Sequence, residues 1–257
     1  LGKDYFIMSI HGENNGGGGS NLCVVSTHDG TSVAIYNQAT SVTEHIFLDR
    51  GQAFLEFGNN KDLTGSKIHA DYPVAVLSGN KLSSIPAGCA AADMVAETMM
   101  PTSSWGMEFY TVSLGGRESD GDIFRILAKD NLTVVRINDT VAGMLNSGKY
   151  YETELKGFNC IRTTAPVMVA QFAKSNSCAG TNGVGDPMMM LVPPRQQYAT
   201  DFRLSTISTL NDWVNIVASP NAVGQIYHNV SLIPDSAFTE IGTSGFRGAR
   251  LSISRGA

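Results

Sequence analysis

The chain has 257 residues, of which 27 are glycine and only 16% are charged, and its formal net charge is −5. Its 18 lysine and arginine residues are scattered along the chain instead of forming a basic stripe, which disfavours nucleic acid as a partner. No apolar run approaches the roughly 20 residues needed to cross a bilayer, so we expect no membrane insertion. The glycine content and the lack of long helix-forming stretches favour an all-β protein.

The N-terminal part of the chain reads as short strands joined by tight turns. DYFIMSI at 4–10 precedes GENNGGGGSN at 12–21, which we interpret as a flexible connection, because the Lys-Ser/Thr pair and the helix of a phosphate-binding loop are missing. NLCVVSTHDGTSVAIYN at 21–37 predicts a hairpin around an Asp-Gly turn. GSKIHADYPVAVLSGN at 65–80 predicts a second hairpin, whose returning strand begins at Pro73.

The same strand order returns in the middle of the chain. WGMEFYTVSL at 105–114 corresponds to the first strand, DIFRILAKDNLTVVRIN at 122–138 to the first hairpin, and GFNCIRTTAPVMVAQF at 157–172 to the proline hairpin. Between the two copies, residues 89–100 read either as a helix or as an extended linker. The repetition of strand order and turn chemistry indicates an internal repeat.

A weaker third copy follows. YATDFRLSTI at 198–207 resembles a first strand, residues 212–229 predict a hairpin turning at Pro220-Asn221, and 246–257 resembles the strand before another proline. We therefore predict tandem antiparallel β-sandwich-like repeats, two complete and one truncated. The predicted repeats cover residues 1–97, 98–194 and 195–257.

The segments between the copies carry the most distinctive motifs. VLSGNKLSSIPAGCAAADMVAETMMPTSSWGMEFYTVSL at 76–114, GDIFRILA at 121–128 and GDPMMMLVPPRQQY at 185–198 resemble the IgG Fc-binding protein N-terminal domain family. The resemblance is most specific at Trp105-Gly106, Gly121-Asp122 and Gly185-Asp186-Pro187. It implies a large secreted or surface protein with adhesive modules, and no catalytic residues are recognised in the family.

The four cysteines permit three pairings if all are oxidised. Cys160 and Cys178 are the nearest pair in sequence and could close one loop, which would leave Cys23 with Cys89. No CxxC pair occurs, which disfavours zinc. Family members often carry a cysteine just after the SGN motif, where this chain has Lys81, so the resemblance leaves Cys89 without its usual local partner.

Three N-x-S/T sequons begin at Asn131, Asn138 and Asn229. Together with the even number of cysteines, they predict an extracellular or cell-surface location and glycosylation. The chain starts at Leu1 without a leader, so either a signal peptide has been removed or the chain is a piece of a longer protein.

Two acidic patterns offer candidate ligands or catalytic groups. Glu118, Asp120 and Asp122 alternate in a glycine-rich loop and are weak calcium candidates, although their spacing is not that of a helix-flanked calcium loop. Glu152 and Glu154 lie on the same face of a strand, which alone does not make a glycosidase site.

Catalysis is not expected. A GxSxG elbow is missing, and the histidines are scattered over strands and turns, at His11, His28, His45, His69 and His228. We therefore predict a protein that is not an enzyme and that needs no cofactor, with calcium as a minor possibility.

Methionines gather at 94–101 and 186–191, where they predict irregular core between two sandwiches rather than an adaptable binding surface. Trp105 and Trp213 occupy comparable places in the second and third repeats. We expect both to be buried anchors, with sugar stacking as the alternative.

The sequence thus predicts a non-catalytic extracellular adhesion or structural module that binds proteins or glycans in mucus, matrix or a surface filament. Neighbouring copies in an assembly are further candidate partners, joined by pairing of edge strands. The alternative is a carbohydrate-binding or carbohydrate-active module that uses the acidic loop, with or without calcium.

Overall fold

The computed structural model describes residues 1–11, 19–117, 120–180, 185–205 and 212–253. Within these ranges the strands form two sheets of seven strands, one of three and one of two. The all-β prediction is confirmed. No helix in the described part of the chain is long and apolar enough for a membrane crossing.

The strands fall into three units. Unit 1 contains β1 Gly2–Phe6, β2 Asn21–Ser26, β3 Thr31–Asn37, β4 Val42–Leu48, β5 Ala53–Phe57, β6 Lys67–Ser83 and β7 Asp93–Thr98. Unit 2 contains β8 Gly106–Val112, β9 Asp122–Ala128, β10 Thr133–Ile137, β11 Thr140–Leu145, β12 Tyr150–Leu155, β13 Phe158–Ala173 and β14 Met188–Val192. Unit 3 contains β15 Asp212–Ala218, β16 Tyr227–His228, β17 Ser231–Leu232, β18 Thr239–Glu240 and β19 Arg247–Ile253. Short 3₁₀ turns occupy Thr102–Ser104, Asn176–Cys178, Arg195–Gln197 and Asp235–Ala237.

Unit 1 is built around β6, a strand of 17 residues that belongs to two layers. Its N-terminal half pairs with β3 and β1, and with β4 at the edge these strands make the first layer. Its C-terminal half pairs with β2 and β7, and with β5 these make the second layer. Apolar side chains of both layers, among them Ile35, Ile68, Val24 and Val76, are fully or almost fully buried in one core.

Pro73 lies where β6 passes from the first layer to the second. Within β6, pairing with β3 ends at Ala70, and pairing with β2 begins at Val74. Proline has no N–H to donate to a ladder, so it is tolerated at this change of partner. The predicted hairpin at 65–80 is therefore wrong, because this segment is one continuous strand that changes its neighbours.

Unit 2 repeats the plan of unit 1, with β13 as the shared long strand. The equivalent strands also keep their register. Ile35 pairs with Ile68 in unit 1, and Ile137 pairs with Ile161 in unit 2. In β13 the change of layer falls between Thr163 and Val167, which brackets the second proline. The limits 1–97, 98–194 and 195–257 stay a prediction.

The segment between the first two units differs from what we predicted. Residues 89–100 form neither a helix nor a plain linker, since Asp93–Thr98 is strand β7 and pairs with β6. Val95 is buried and Glu97 is partly buried, while Ala96 and Thr98 are exposed, which is the alternation of a half-buried strand.

Unit 3 departs further from the prediction. Residues 198–205 form no strand, and 206–207 lie outside the described residues. The hairpin around Pro220 is wrong: turns fill the residues after β15, and β15 pairs with β19 instead. In unit 2, β9 has two antiparallel neighbours, β12 and the C-terminal half of β13, so the pairing of β15 with β19 does not by itself assign 246–253 to one strand of the repeat. The place of this segment before a further proline stays a prediction.

Candidate functional site

The motif residues Gly121-Asp122 lie at the start of β9. Asp122 is fully buried, and its Oδ2 accepts hydrogen bonds from the Leu114 amide (2.8 Å) and from Gln171 Nε2 (2.7 Å). Burial raises the pKa of this carboxyl group, although its hydrogen-bond donors and nearby cations act in the opposite direction. Asp122 therefore fastens the segment after β8 to the long strand β13.

The motif Gly185-Asp186-Pro187 packs against the same region through Arg117. The buried Arg117 guanidinium donates from Nη1 to the Lys174 carbonyl (2.5 Å) and from Nη2 to the Asp186 carbonyl (3.3 Å). Gly185 has a φ of +90°, and a Cβ there would lie 2.1 Å from Arg117 Nη2. The motif thus needs glycine both for its backbone conformation and for the arginine's close approach.

The predicted calcium ligands do not form a visible site. Glu118 lies outside the described residues. The backbone carbonyl of Asp120 accepts a hydrogen bond from Lys174 Nζ (2.6 Å). Asp122 faces hydrogen-bond donors, as described above. Among the described residues, no group of three or more His, Cys, Asp and Glu side chains could hold a metal ion. Calcium binding stays an untested prediction.

The two carboxylates that lie on one face of β12 form ion pairs. Glu152 contacts Arg125 Nε (2.6 Å), and Glu154 contacts Lys174 Nζ (2.5 Å). His69 contacts Asp4 at 2.7 Å on the surface, where their side chains are 70% and 61% exposed. A histidine and a carboxylate so open to water lack the enclosed environment of an acid-base site.

One disulfide joins units 1 and 2. It links Cys89 to Cys178, while Cys23 and Cys160 are free thiols. The predicted pairs Cys160 with Cys178 and Cys23 with Cys89 are therefore wrong. Cys89 follows β6 and Cys178 follows β13, so the bond connects corresponding loops of two repeats. Proximity in sequence could not reveal it, because the repeat places residues of distant sequence side by side.

The loops joined by the disulfide also share hydrogen bonds. The Ser175 amide donates to the Ile85 carbonyl (2.6 Å), and the Ile85 amide donates to Ser175 Oγ (2.9 Å). The Ala90 amide donates to Ser177 Oγ at 2.7 Å. The junction is therefore a structured joint between units, and Trp105, Asp122 and Pro187 of its motifs are buried, whereas Gly185 and Asp186 are exposed.

We expect the three sequons to differ in glycan occupancy. Asn131, Asn138 and Asn229 are all exposed, but the Asn138 side chain donates to Asn159 Oδ1 (2.9 Å) and accepts from the Cys160 amide (3.0 Å). Asn138 is therefore already engaged through both polar atoms of its side chain. Secretion from a glycosylating cell line followed by glycopeptide mass spectrometry should find Asn131 and Asn229 more occupied than Asn138. A higher occupancy at Asn138 would contradict this order.

The aromatic and methionine predictions hold in part. Trp105 is buried, donates from Nε1 to the Met100 carbonyl (3.1 Å) and contacts the Phe6 ring, so its role as an anchor is confirmed. Trp213 is 45% exposed, so the same prediction is wrong there.

The methionines are divided between core and surface. Met99 and Met189 are buried in one core that spans units 1 and 2, whereas Met94 and Met188 are exposed, both at more than a third of their surface.

Arg125 forms the polar centre of the contact between units 1 and 2. It is 5% exposed and points from β9 toward unit 1, where Nη1 contacts Asp62 Oδ2 (2.6 Å), the Ser9 carbonyl (2.5 Å) and Thr64 Oγ1 (3.1 Å). Its guanidinium also lies 4.4 Å from the Tyr150 ring centroid. Sequence patterns alone do not single out this residue, although a lone arginine in the apolar run IFRILA at 123–128 is a signal for a buried ion pair.

An exposed surface of mixed aromatic and polar character lies on the outer side of the first layer of unit 1. We call it the histidine face, defined by Asp4, Tyr36, His45, Phe47 and His69. His45 and His69 flank the same residue of β3 in register, and Asp4 pairs with His69 on the far side. Phe47 is 74% exposed.

A cleft of about 270 Å³ opens on this face. Its lining includes Asp4, Tyr36, Lys67 and His69, and the Lys67 ammonium lies 5.0 Å from the Phe6 ring centroid. Exposed aromatic rings beside charged groups are typical of protein-recognition surfaces. The histidine face therefore offers an exposed aromatic ring beside charged groups to an external partner.

Comparison with known proteins gives one family. A family model described as "IgGFc binding protein" matches residues 1–257. The human protein described as "IgGFc-binding protein" is 22% identical over 234 residues, which is 87% of this chain and 4% of that relative. A solved structure described as an anti-sigma factor domain-containing protein aligns at 12% identity with a TM-score of 0.18, over 77% of this chain and 83% of that one. So low a score supports no comparison of folds.

Proposed function

Because this chain belongs to the IgGFc-binding protein family, we propose that it is a non-catalytic, extracellular protein-binding module of a longer secreted or surface protein. The observation that carries the proposal is the histidine face, a sheet surface on which Phe47, His45 and His69 are exposed and Tyr36 is partly exposed. A disulfide and three sequons support the extracellular location.

The chain spans 4% of its human relative, so the relative's activity is not automatically that of this segment. The relative's name gives immunoglobulin G Fc as the first partner to test. Other extracellular proteins and glycans of mucus or matrix are further partners of the proposed module. The carbohydrate alternative has less support, since Asp122 of the acidic loop is buried.

We expect the histidine face to carry the binding energy. Phe47→Asp places a charge where an exposed aromatic ring would otherwise be buried by a partner, and such central residues often account for tenfold or larger losses of affinity. Biolayer interferometry of the chain on immobilised Fc should show binding that weakens by at least about tenfold in this variant.

Met144→Asp is the matched control. Met144 occupies in unit 2 the place that Phe47 has in unit 1: it pairs with Val134 of β10 and is 62% exposed. We expect its affinity to stay within about twofold of the unchanged chain, as for surface positions outside an interface. Equal affinity of the two variants would refute the histidine face as the site, and absence of Fc binding by the unchanged chain would remove Fc as its partner.

A further inference from the structure

Two contacts between successive units use the same pair of surfaces. In the first, the outer side of the second layer of unit 2 is covered by unit 1: Leu127 and Phe172 share a buried core with Ile7 and Met8, which follow β1. Near the middle of that layer, Arg125 reaches the Ser9 carbonyl. The segment just after the first strand of unit 1 therefore contributes to the cover of unit 2.

The second contact repeats this arrangement between units 2 and 3. Asn215 of β15 donates from Nδ2 to the carbonyls of Val112 (3.1 Å) and Ser113 (3.4 Å), at the end of the first strand of unit 2. Trp213, on the same side of β15, lies against Gly115, where a Cβ would be 2.3 Å from the indole. The unit that precedes in the chain again covers the unit that follows.

Within the described ranges, the apolar side chains on the corresponding side of unit 1 are exposed. The strand register places Cys23 between Leu55 and Leu77, as it places Arg125 between Glu152 and Ala170 in unit 2. Leu55, Phe57, Leu77 and Met94 are 51%, 55%, 39% and 65% exposed. We call this surface the open face, defined by Cys23, Leu55, Phe57, Leu77, Met94 and Ala96.

The composition of the open face indicates what covers it. None of its six side chains is charged, whereas the covered face of unit 2 carries Arg125 and Glu152 at the positions of Cys23 and Leu55. The register also places two uncharged polar residues, Asn21 and Thr98, on this side. An exposed surface this rich in apolar side chains is usually buried against a partner. The partner that fits must therefore offer an apolar segment and no buried charge.

We propose that the open face is the docking surface for a further β unit of the same kind, which precedes unit 1 in the same polypeptide. That unit would lay the apolar segment after its first strand across β2, as unit 1 does on β9 and unit 2 does on β15. The interface is head-to-tail, so it extends a row of units without closing it. The human relative, of which this chain spans 4%, has the length for further units.

This proposal does not depend on the histidine face, which lies on the other layer. Cys23 provides its test, because this thiol is free and partly exposed on the open face, while the free thiol of Cys160 is buried beneath unit 3. Burial raises the pKa of both thiols, so labelling rates must be compared at one fixed pH. Cys160 serves as the internal reference.

The experiment measures alkylation of Cys23 by N-ethylmaleimide in this chain alone and in the full-length protein. We expect Cys23 to react at least about tenfold more slowly in the full-length protein, with Cys160 slow in both, because docking would remove Cys23 from solvent. Equal Cys23 rates would overturn the proposal.

A second arm identifies the occupant. Leu77→Glu in the full-length protein is expected to restore fast Cys23 labelling, and Thr43→Glu, on the other layer, is expected not to. A photo-crosslinking amino acid placed at Ala96 should form crosslinks to a preceding β unit of the same polypeptide. Crosslinks only to another chain or to a different kind of module would overturn the proposal even if Cys23 is protected.

Discussion

Arg125→Met is expected to destabilise the chain by about 3 kcal/mol, among the largest effects of any single substitution. The change leaves Asp62, whose side chain is only 23% exposed, without the cation at 2.6 Å that compensates its charge. It also removes the donors to Ser9 and Thr64 at the contact between units 1 and 2. Urea unfolding at pH 7, followed by tryptophan fluorescence, measures the loss.

Two comparison variants separate the ion pair from general damage. Arg136→Met, at an exposed position of β10, should change stability by less than about 0.5 kcal/mol. Arg125→Met combined with Asp62→Asn should recover part of the loss, because no uncompensated carboxylate then remains buried. If the double variant is no more stable than Arg125→Met alone, the ion pair is not the cause.

The stability lost in Arg125→Met should also depend on pH. Burial acts to raise the pKa of Asp62, but Arg125 and the hydrogen bonds from Thr64 outweigh it and hold the pKa below its ordinary value. The ion pair therefore stabilises the fold above the ordinary aspartate pKa of about 4, and this contribution disappears as pH falls through the lowered folded-state pKa. The difference in the free energy of unfolding between the unchanged chain and Arg125→Met should therefore become smaller at acid pH. A difference that stays constant with pH would contradict the role of the Asp62–Arg125 ion pair.

The repeat was predictable from sequence because it rests on local signals. Alternation of apolar residues and Asp-Gly or proline turns indicated most strands of units 1 and 2, including β3 and β10. The sequence predicts that Pro73 starts a returning strand, since a proline before an apolar run is typical of a turn. Its actual place depends on a change of pairing partners between Ala70 and Val74, which no local pattern encodes.

The contacts between units were not predictable for a related reason. β9 is buried at all seven positions, so the face that packs on unit 1 cannot be distinguished by alternation from the face that packs inside unit 2. Cys89 and Cys178 are 89 residues apart and meet only because two repeats place their loops side by side. Likewise, the open face is recognised by the register that aligns Cys23 with Arg125, which no local sequence pattern encodes.

Removing the disulfide is the second change for which we expect a large effect. The bond between Cys89 and Cys178 closes a loop of 89 residues, for which the chain-entropy model gives about 4 to 5 kcal/mol, and measured losses are usually about 2 to 5 kcal/mol. We expect the double variant Cys89→Ala/Cys178→Ala to lose about 3 kcal/mol in urea unfolding. Cys23→Ala, which removes a partly exposed free thiol, should lose less than about 1 kcal/mol.

The amides that lose hydrogen-exchange protection in the double variant show whether the disulfide holds the joint between units or the sandwiches themselves. Because Cys89 and Cys178 lie in corresponding loops, the disulfide ties one unit to the next and crosses neither sandwich core. Hydrogen exchange in the double variant should therefore increase first at the Ile85 and Ser175 amides, which bond across the joint, while the amides of β2 and β9 stay protected. Uniform loss of protection would mean that the joint and the sandwiches unfold together. A peptide linking Cys160 to Cys178 in an unreduced digest would show that the joint is held by other contacts.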